Sequence, residues 1–211
     1  MDLQLEGKCA AVTGGSAGIG KMIALCLARE GVDVAICARS AGPLEAAAKE
    51  IADETGRRIV PITADLTRTD DANNFIDKAA EALGRIDILV NNAGAAAGGV
   101  IESLSDEDWE AALQLKFFGY VRCTRAVIPH MKRQGGGRVV NLIGNDGIKH
   151  SYWEIAPGAA NAAGQNLTIS LSMQYGAENI SFCAVNPGPV RTERWAGLVD
   201  AMARDMNLTR E

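Results

Sequence analysis

The sequence predicts an α/β protein, a doubly wound parallel sheet inside a three-layer α/β/α domain. Three observations predict it. Short apolar runs suited to strands alternate with helix-period stretches along the chain. The first run ends in a glycine-rich corner that opens directly into a helix, and the run 86–90 reads as a strand buried on both faces. At 211 residues the chain supports one sizeable core, and nothing in its composition marks a linker, so a single domain over 1–211 is expected.

Residues 9–12 form the first strand, ending at Thr13, and Gly14, Gly15, Gly18 and Gly20 follow at once. Met22, Ile23, Leu25, Cys26 and Leu27 then keep helical period. Gly14 lets the chain leave the strand tightly, Gly18 removes the side chain where a phosphate would approach, and Gly20 lets helix and sheet pack closely. The helix N-terminus offers backbone N–H groups and the positive end of its dipole to an anion, and Ser16 adds a hydroxyl. A dinucleotide diphosphate suits that corner.

Residues 32–38 are the second strand. Its end, where such folds place the acid that binds a ribose 2′-OH, carries Ala38, Arg39 and Ser40 instead. With a guanidinium and no carboxylate there, NADP is favoured over NAD. A helix from about 43, with Pro43 in its first turn, ends near Gly56; a third strand covers 59–63, and Asp65 and Leu66 sit just past it, where Asp65 can bond an adenine amino group. A helix over 70–83 stops at Gly84, and the strand 86–90 is closed by Asn91, Asn92, Ala93 and Gly94, short amides able to brace neighbouring loops beside small residues that leave room for a ring. One long helix is expected over 106–133, with more apolar residues than a single inward stripe needs. A strand at 138–143, a helix at 158–175 and a sixth strand at 180–185 complete the alternation.

Net charge is −5 with both signs interspersed, which excludes a basic stripe for nucleic acid and a polybasic membrane patch. No apolar run approaches the roughly 18 residues of a membrane span, and the opening MDLQLEGK lacks the regions of a signal peptide, so a cytoplasmic setting is expected. The five cysteines are scattered, with no metal-ligand or disulfide spacing, and no metal site is expected.

TGGSAGIG at 13–20, NNAG at 91–94 and NPGPVRT at 186–192 together resemble the short-chain dehydrogenase/reductase family, in order and spacing. The resemblance implies a Rossmann fold and an oxidoreductase interconverting a carbonyl and an alcohol with NADP(H), NAD being possible. It places Gly14, Ser16, Ala17, Gly18, Ile19, Gly20, Arg39, Ser40, Asp65, Leu66, Asn91, Asn92, Ala93 and Gly94 around the cofactor. From the last motif it adds Pro187, Gly188, Val190, whose amide would meet the carboxamide of nicotinamide, and Thr192. It also implies a homodimer or homotetramer built on the long helix and its successor, and a mobile substrate lid beginning at 187. Trp195, Leu198, Val199, Met202 and Met206 would form the lid's apolar face, and the domain would continue past Glu211.

The catalytic positions depart from the family. Its asparagine, serine, tyrosine and lysine fall here on Lys116, Gly144, Pro157 and Asn161. An exchanged pair is the reading that keeps chemistry: Lys116 supplies the cation, Asn161 takes the facing place, and Tyr152 on the preceding loop swings in as proton donor, with Lys149 and His150 in reserve. The rival is a protein that kept the nucleotide site and lost turnover, serving as a sensor or partner subunit.

Overall fold

The computed structural model describes residues 2–95 and 97–205, and of 193–196 the backbone alone. The chain runs β1 Cys9–Thr13, α1 Gly18–Arg29, β2 Asp33–Ala38, α2 Ala41–Thr55, β3 Ile59–Thr63, α3 Thr69–Leu83, β4 Ile88–Asn91, α4 Asp106–Lys116, α5 Phe118–Arg133, β5 Gly137–Leu142, α6 Ile155–Tyr175, β6 Ile180–Val185 and α7 Glu193–Asp205. The six strands pair in parallel in the order β3-β2-β1-β4-β5-β6. The order reverses between β1 and β4, so the C-terminal ends of those two strands flank the crevice where ligands of such sheets collect.

Strand alternation sorts the core into two clusters. Ala10 and Val12 of β1, with Val34 and Ile36 of β2, pack under α1 and α2 against Ala24, Leu44 and Ile51. Ala11, Ala35 and Cys37 face the other way, and their small size leaves room for Phe75 and Ile76 of α3 and Met131 of α5. That second cluster continues through Leu89 and Val139 to Ile180 and Phe182, with Tyr175 of α6 packed on it. One sheet face is therefore covered from edge to edge. On the opposite face α1 and α2 cover β1 to β3, while Ser181, Cys183 and Val185 of β6 stand exposed.

Several boundaries differ from the sequence expectation. The helix expected over 106–133 is two helices: Phe117, at φ −102° and ψ −60°, breaks it into α4 and α5. The i→i−4 bonds persist on either side, from Phe117 N–H to Leu113 O (3.0 Å) and from Val121 N–H to Phe117 O (3.1 Å). The run 86–90 is interrupted by Asp87, whose carboxylate accepts the Cys9 N–H (2.9 Å) and pairs with Arg85 (2.5 Å), so β4 starts at Ile88. The helix expected from 158 begins at Ile155, which places Pro157 in its first turn, where a missing N–H leaves no bond unmade. A capping box between Ser105 and Asp108 fixes the start of α4, and left-handed Gly56 and Gly84 end α2 and α3. The stretch expected to form a lid contains α7, with Met206 and the side chain of Trp195 outside the described residues.

Candidate active site

The crevice is built first by the end of β1. The Thr13 hydroxyl donates to Val90 O (3.3 Å) and accepts the N–H groups of Asn92 (2.8 Å) and Ala93 (3.0 Å). The Asn92 amide returns across the gap to Thr13 O (2.8 Å) and Gly14 O (3.3 Å). The NNAG run is thus bolted to the glycine corner, with Gly14 at φ +70°, a conformation that favours glycine. A Cβ on Gly20 would lie 2.1 Å from Gly14 O, so only glycine lets the helix start this close to the strand.

α1 begins at Gly18 with no side-chain cap and no acidic residue in its first turn, and Ala17 and Gly18 are exposed while Ser16 and Ile19 are half-buried. A Cβ on Gly18 would meet nothing nearer than Thr192 Cγ2 at 3.5 Å. The two ends of the sequence pattern therefore meet: the TGGSAGIG corner and the NPGPVRT run share one wall. Pro187 is half-buried, Gly188 and Val190 are exposed, and Pro187 O accepts the Asn145 N–H (3.1 Å).

At the ends of β2 and β3, Arg39 and Ser40 are exposed and α2 begins without a side-chain cap or an acidic first turn. Asp65 stands close by. Partial burial pushes its carboxyl up, but hydrogen bonds from the Thr67 hydroxyl (2.8 Å) and N–H (3.0 Å), with Arg39 and Arg68 nearby, hold it below the usual carboxylate range. Leu66 is buried in the core, and its carbonyl accepts from Arg122 (3.2 Å).

Toward β4 and β5 the crevice floor is polar and buried. The Asn91 amide donates to Thr124 Oγ1 (3.1 Å) and Asn141 Oδ1 (2.9 Å), Asn141 donates to Thr168 Oγ1 (2.9 Å), and Thr168 donates to Gly164 O (2.7 Å). This chain ties β4, α5, β5 and α6 together just below the crevice. Asn91 is fully buried, so its side chain holds the strand ends in register, and Asn91 Oδ1 has no hydrogen-bond partner among the described residues. Tyr120 adds a bond from its hydroxyl to Leu142 O (2.7 Å), fixing the end of β5.

The three residues assigned to catalysis from sequence fall in different surroundings. Lys116, the last residue of α4, lays its stem along Gly94: a Cβ there would be 3.3 Å from Lys116 Cδ. Asn161 is 1% exposed, and its amide donates to both carboxylate oxygens of Asp146, at 2.8 and 2.9 Å. Asn161 Oδ1 has no hydrogen-bond partner among the described residues, so it makes no bond to Lys116. Tyr152 is 62% exposed on the loop before α6. Its neighbour Trp153 is the buried member of that loop, its ring filling the space beside Gly98 and its Nε1 donating to Asp205 of α7 (2.8 Å). Lys149 and His150 are exposed.

Sequence reasoning missed Asp146, Thr124 and Thr168. Asp146 had a visible signal, the Gly-Asn-Asp-Gly run at the end of the fifth strand, where a serine was sought and a glycine found. Thr124 and Thr168 gave none, since each is a helix residue whose partner lies across the sheet.

The fold and this crevice define a doubly wound domain of the dinucleotide-binding class. A family model described as short chain dehydrogenase matches residues 8–203. Among curated relatives, a 3-oxoacyl-[acyl-carrier-protein] reductase of Thermotoga maritima is 31% identical over 208 residues, covering 99% of this chain and 84% of the relative. A probable galactose dehydrogenase of Rhizobium meliloti is 34% identical over 183 residues, covering 87% and 72%. Among solved structures, L-sorbose reductase of Gluconobacter frateurii, complexed with NADPH and L-sorbose, superposes with a TM-score of 0.91 at 28% identity, covering 97% of this chain and 78% of that one. The chain belongs to the short-chain dehydrogenase family, and it is an oxidoreductase of that type.

Proposed function

We propose that the chain is an NADP(H)-dependent oxidoreductase that interconverts a carbonyl and an alcohol. The observation that carries this reading is the corner itself: an uncapped helix start, a glycine with open space at Gly18, and Thr192 brought beside it from the far end of the sequence. A dinucleotide fits that donor set, because the N-terminus of α1 supplies N–H groups and positive dipole with no carboxylate to oppose a diphosphate. The neighbours support a nicotinamide cofactor, since one is complexed with NADPH and another, a xylitol dehydrogenase structure with a TM-score of 0.92, is NAD+-bound. Arg39, Ser40 and the uncapped start of α2 favour a 2′-phosphate, hence NADP. When bound, the cofactor supplies hydride chemistry. Asn92, Ala93, Gly94 and Val190 would hold its nicotinamide half, and Asp65 its adenine.

Lys116 is the cation of this site in the same reading, standing beside Gly94. Tyr152 serves as proton donor only if its exposed ring turns inward. The exposed apolar side chains of Phe118 on α5, and of Ile169 and Met173 on α6, support a homodimer or homotetramer through those helices. Five free thiols support a cytoplasmic setting.

Binding followed by nicotinamide fluorescence tests the reading. NADPH is expected to bind and to be preferred over NADH, and Arg39→Ala is expected to weaken NADPH by about tenfold or more while leaving NADH unchanged. Absence of binding by either nucleotide overturns it. A second reading, a nucleotide-binding partner or sensor of this fold, is favoured by Pro157 standing where the family resemblance puts a tyrosine. NADPH binding without turnover on a carbonyl and alcohol panel would establish it.

A further inference from the structure

We propose that the Asp146 carboxylate, clamped by the Asn161 amide at the end of β5, is the group that takes the proton from an alcohol substrate and returns it to a carbonyl. This rests on the reading of the chain as a nicotinamide-dependent oxidoreductase, and it assigns the proton to Asp146 in place of Tyr152, which stands 62% exposed on its loop.

Three glycines make room for the pair. A Cβ on Gly144, at φ +142°, would lie 2.7 Å from Asp146 Oδ1 and 2.6 Å from Asn161 Nδ2. The carboxylate thus fills the space from which any side chain at 144 would project. Gly147 is as close to the other member, with a Cβ there 2.7 Å from Asn161 Cβ, and Gly158 would come within 3.1 Å of Asp146 O. Position 144 is where the family resemblance puts its serine, so an anionic acceptor occupies ground that a hydroxyl donor holds elsewhere.

The clamp orients the carboxylate and fixes its own amide. Asn161 Nδ2 faces both oxygens of Asp146, and the opposite orientation would set oxygen against oxygen. Asn161 Oδ1 is buried without a partner among the described residues, so the half-buried Asp146 carboxylate is the acceptor of this pair that an incoming group can reach. A carboxylate held this way calls for a donor, and the hydroxyl of an alcohol is one. Asp146 itself is half-buried, which gives it a path to water, whereas Tyr152 stands exposed on the loop.

In alcohol oxidation the O–H bond breaks and its proton passes to an Asp146 oxygen. The C–H bond breaks with its electron pair leaving as hydride to the oxidised nicotinamide dinucleotide, and the C=O bond forms. Asp146 then releases the proton to water, and reduction runs the same transfers backwards. Asn161 is a positioning residue, acting through the carboxylate it holds.

The test uses the full chain with Asp146→Ala, Asp146→Asn, Asp146→Glu and Tyr152→Phe. The probes are NADP(H) with xylitol, sorbitol, 1-phenylethanol and their carbonyl counterparts. All four variants are expected to bind NADPH within about twofold of the native chain. Turnover is expected to fall at least about a hundredfold in the Asp146 variants and less than about threefold in Tyr152→Phe. Formate is expected to restore part of the Asp146→Ala loss, as an external carboxylate would. Calorimetry supplies a readout without turnover: the turned-over alcohol is expected to bind the NADPH-loaded, unreactive complex at least about tenfold more weakly in Asp146→Ala. The proposal is overturned if the Asp146 variants bind NADPH and keep turnover, which makes the pair a structural clamp only. It is equally overturned if Tyr152→Phe carries the large loss, or if the native chain binds NADPH and turns over none of the panel. Asp146→Asn keeps the side-chain bulk, so the outcome stands if Asp146→Ala fails to fold. Failure of the native chain to bind either nucleotide is a separate result, which removes the functional reading beneath this one.

Discussion

The two faces of the sheet are built to different standards. Beneath α3, α5 and α6 the strands present Ala11, Ala35, Cys37, Leu89, Val139 and Phe182 in one continuous cluster, and a buried chain of Asn91, Asn141 and Thr168 runs through the same layer. On the other face the cluster under α1 and α2 reaches Val90 of β4 and Val140 of β5 but no residue of β6, and Val185 of β6 is 45% exposed. The difference teaches where rigidity is concentrated. The ends of β4 and β5 are braced from the closed face, by Tyr120 and the Asn91 chain.

The largest expected contrast is in the core. Phe75→Ala, on the closed face, is expected to cost about 3–5 kcal/mol, while Val185→Ala, on the open face, stays within about 0.5 kcal/mol, both read from urea unfolding. Equal costs would mean the open face is covered in solution. Next comes the polar layer. Asn141→Leu leaves the buried Asn91 amide with Thr124 as its one remaining partner among the described residues and is expected to cost about 1–3 kcal/mol by the same measurement. A neutral result would show that the freed N–H of Asn91 finds another acceptor.

Alkali discriminates the faces through their thiols. Burial pushes the Cys123 thiol up to about 12 and raises Cys37 as well. A thiol raised on folding contributes stability that is fully present below its ordinary value of 9.0 and is lost as pH climbs from there toward about 12. The urea midpoint is therefore expected to fall over that window, less steeply in Cys123→Val. Labelling offers the smallest and cleanest signal: a thiol reagent at neutral pH is expected to modify Cys26 and Cys183 in the native protein, and Cys9, Cys37 and Cys123 only after unfolding. Rapid labelling of Cys123 would break the comparison.

Much of the fold was legible because strand and helix periods are local properties. The glycine corner, the alternation of strands with helices and most element limits follow from them. The break at Phe117 was not legible, since a single residue leaving helical geometry changes no period. Nor was the place of Asp87, whose charge is held by Cys9 N–H from another strand. In the site, the meeting of Gly18 with Thr192 followed from the family resemblance, but the partner of Asn161 did not. Fifteen positions separate Asn161 from Asp146, and their bond exists only because β5 and α6 bring the two together over Gly144 and Gly147.

By itself, then, the sequence determined the layers, the glycine corner and the family, because each is written in spacing along one dimension. Tertiary structure alone decided which polar groups meet: Asp146 with Asn161, Asn91 with Asn141, Trp153 with Asp205. The physical reason is that a polar group taken from water pairs with whatever donor or acceptor lies near it in space, and folding chooses that neighbour.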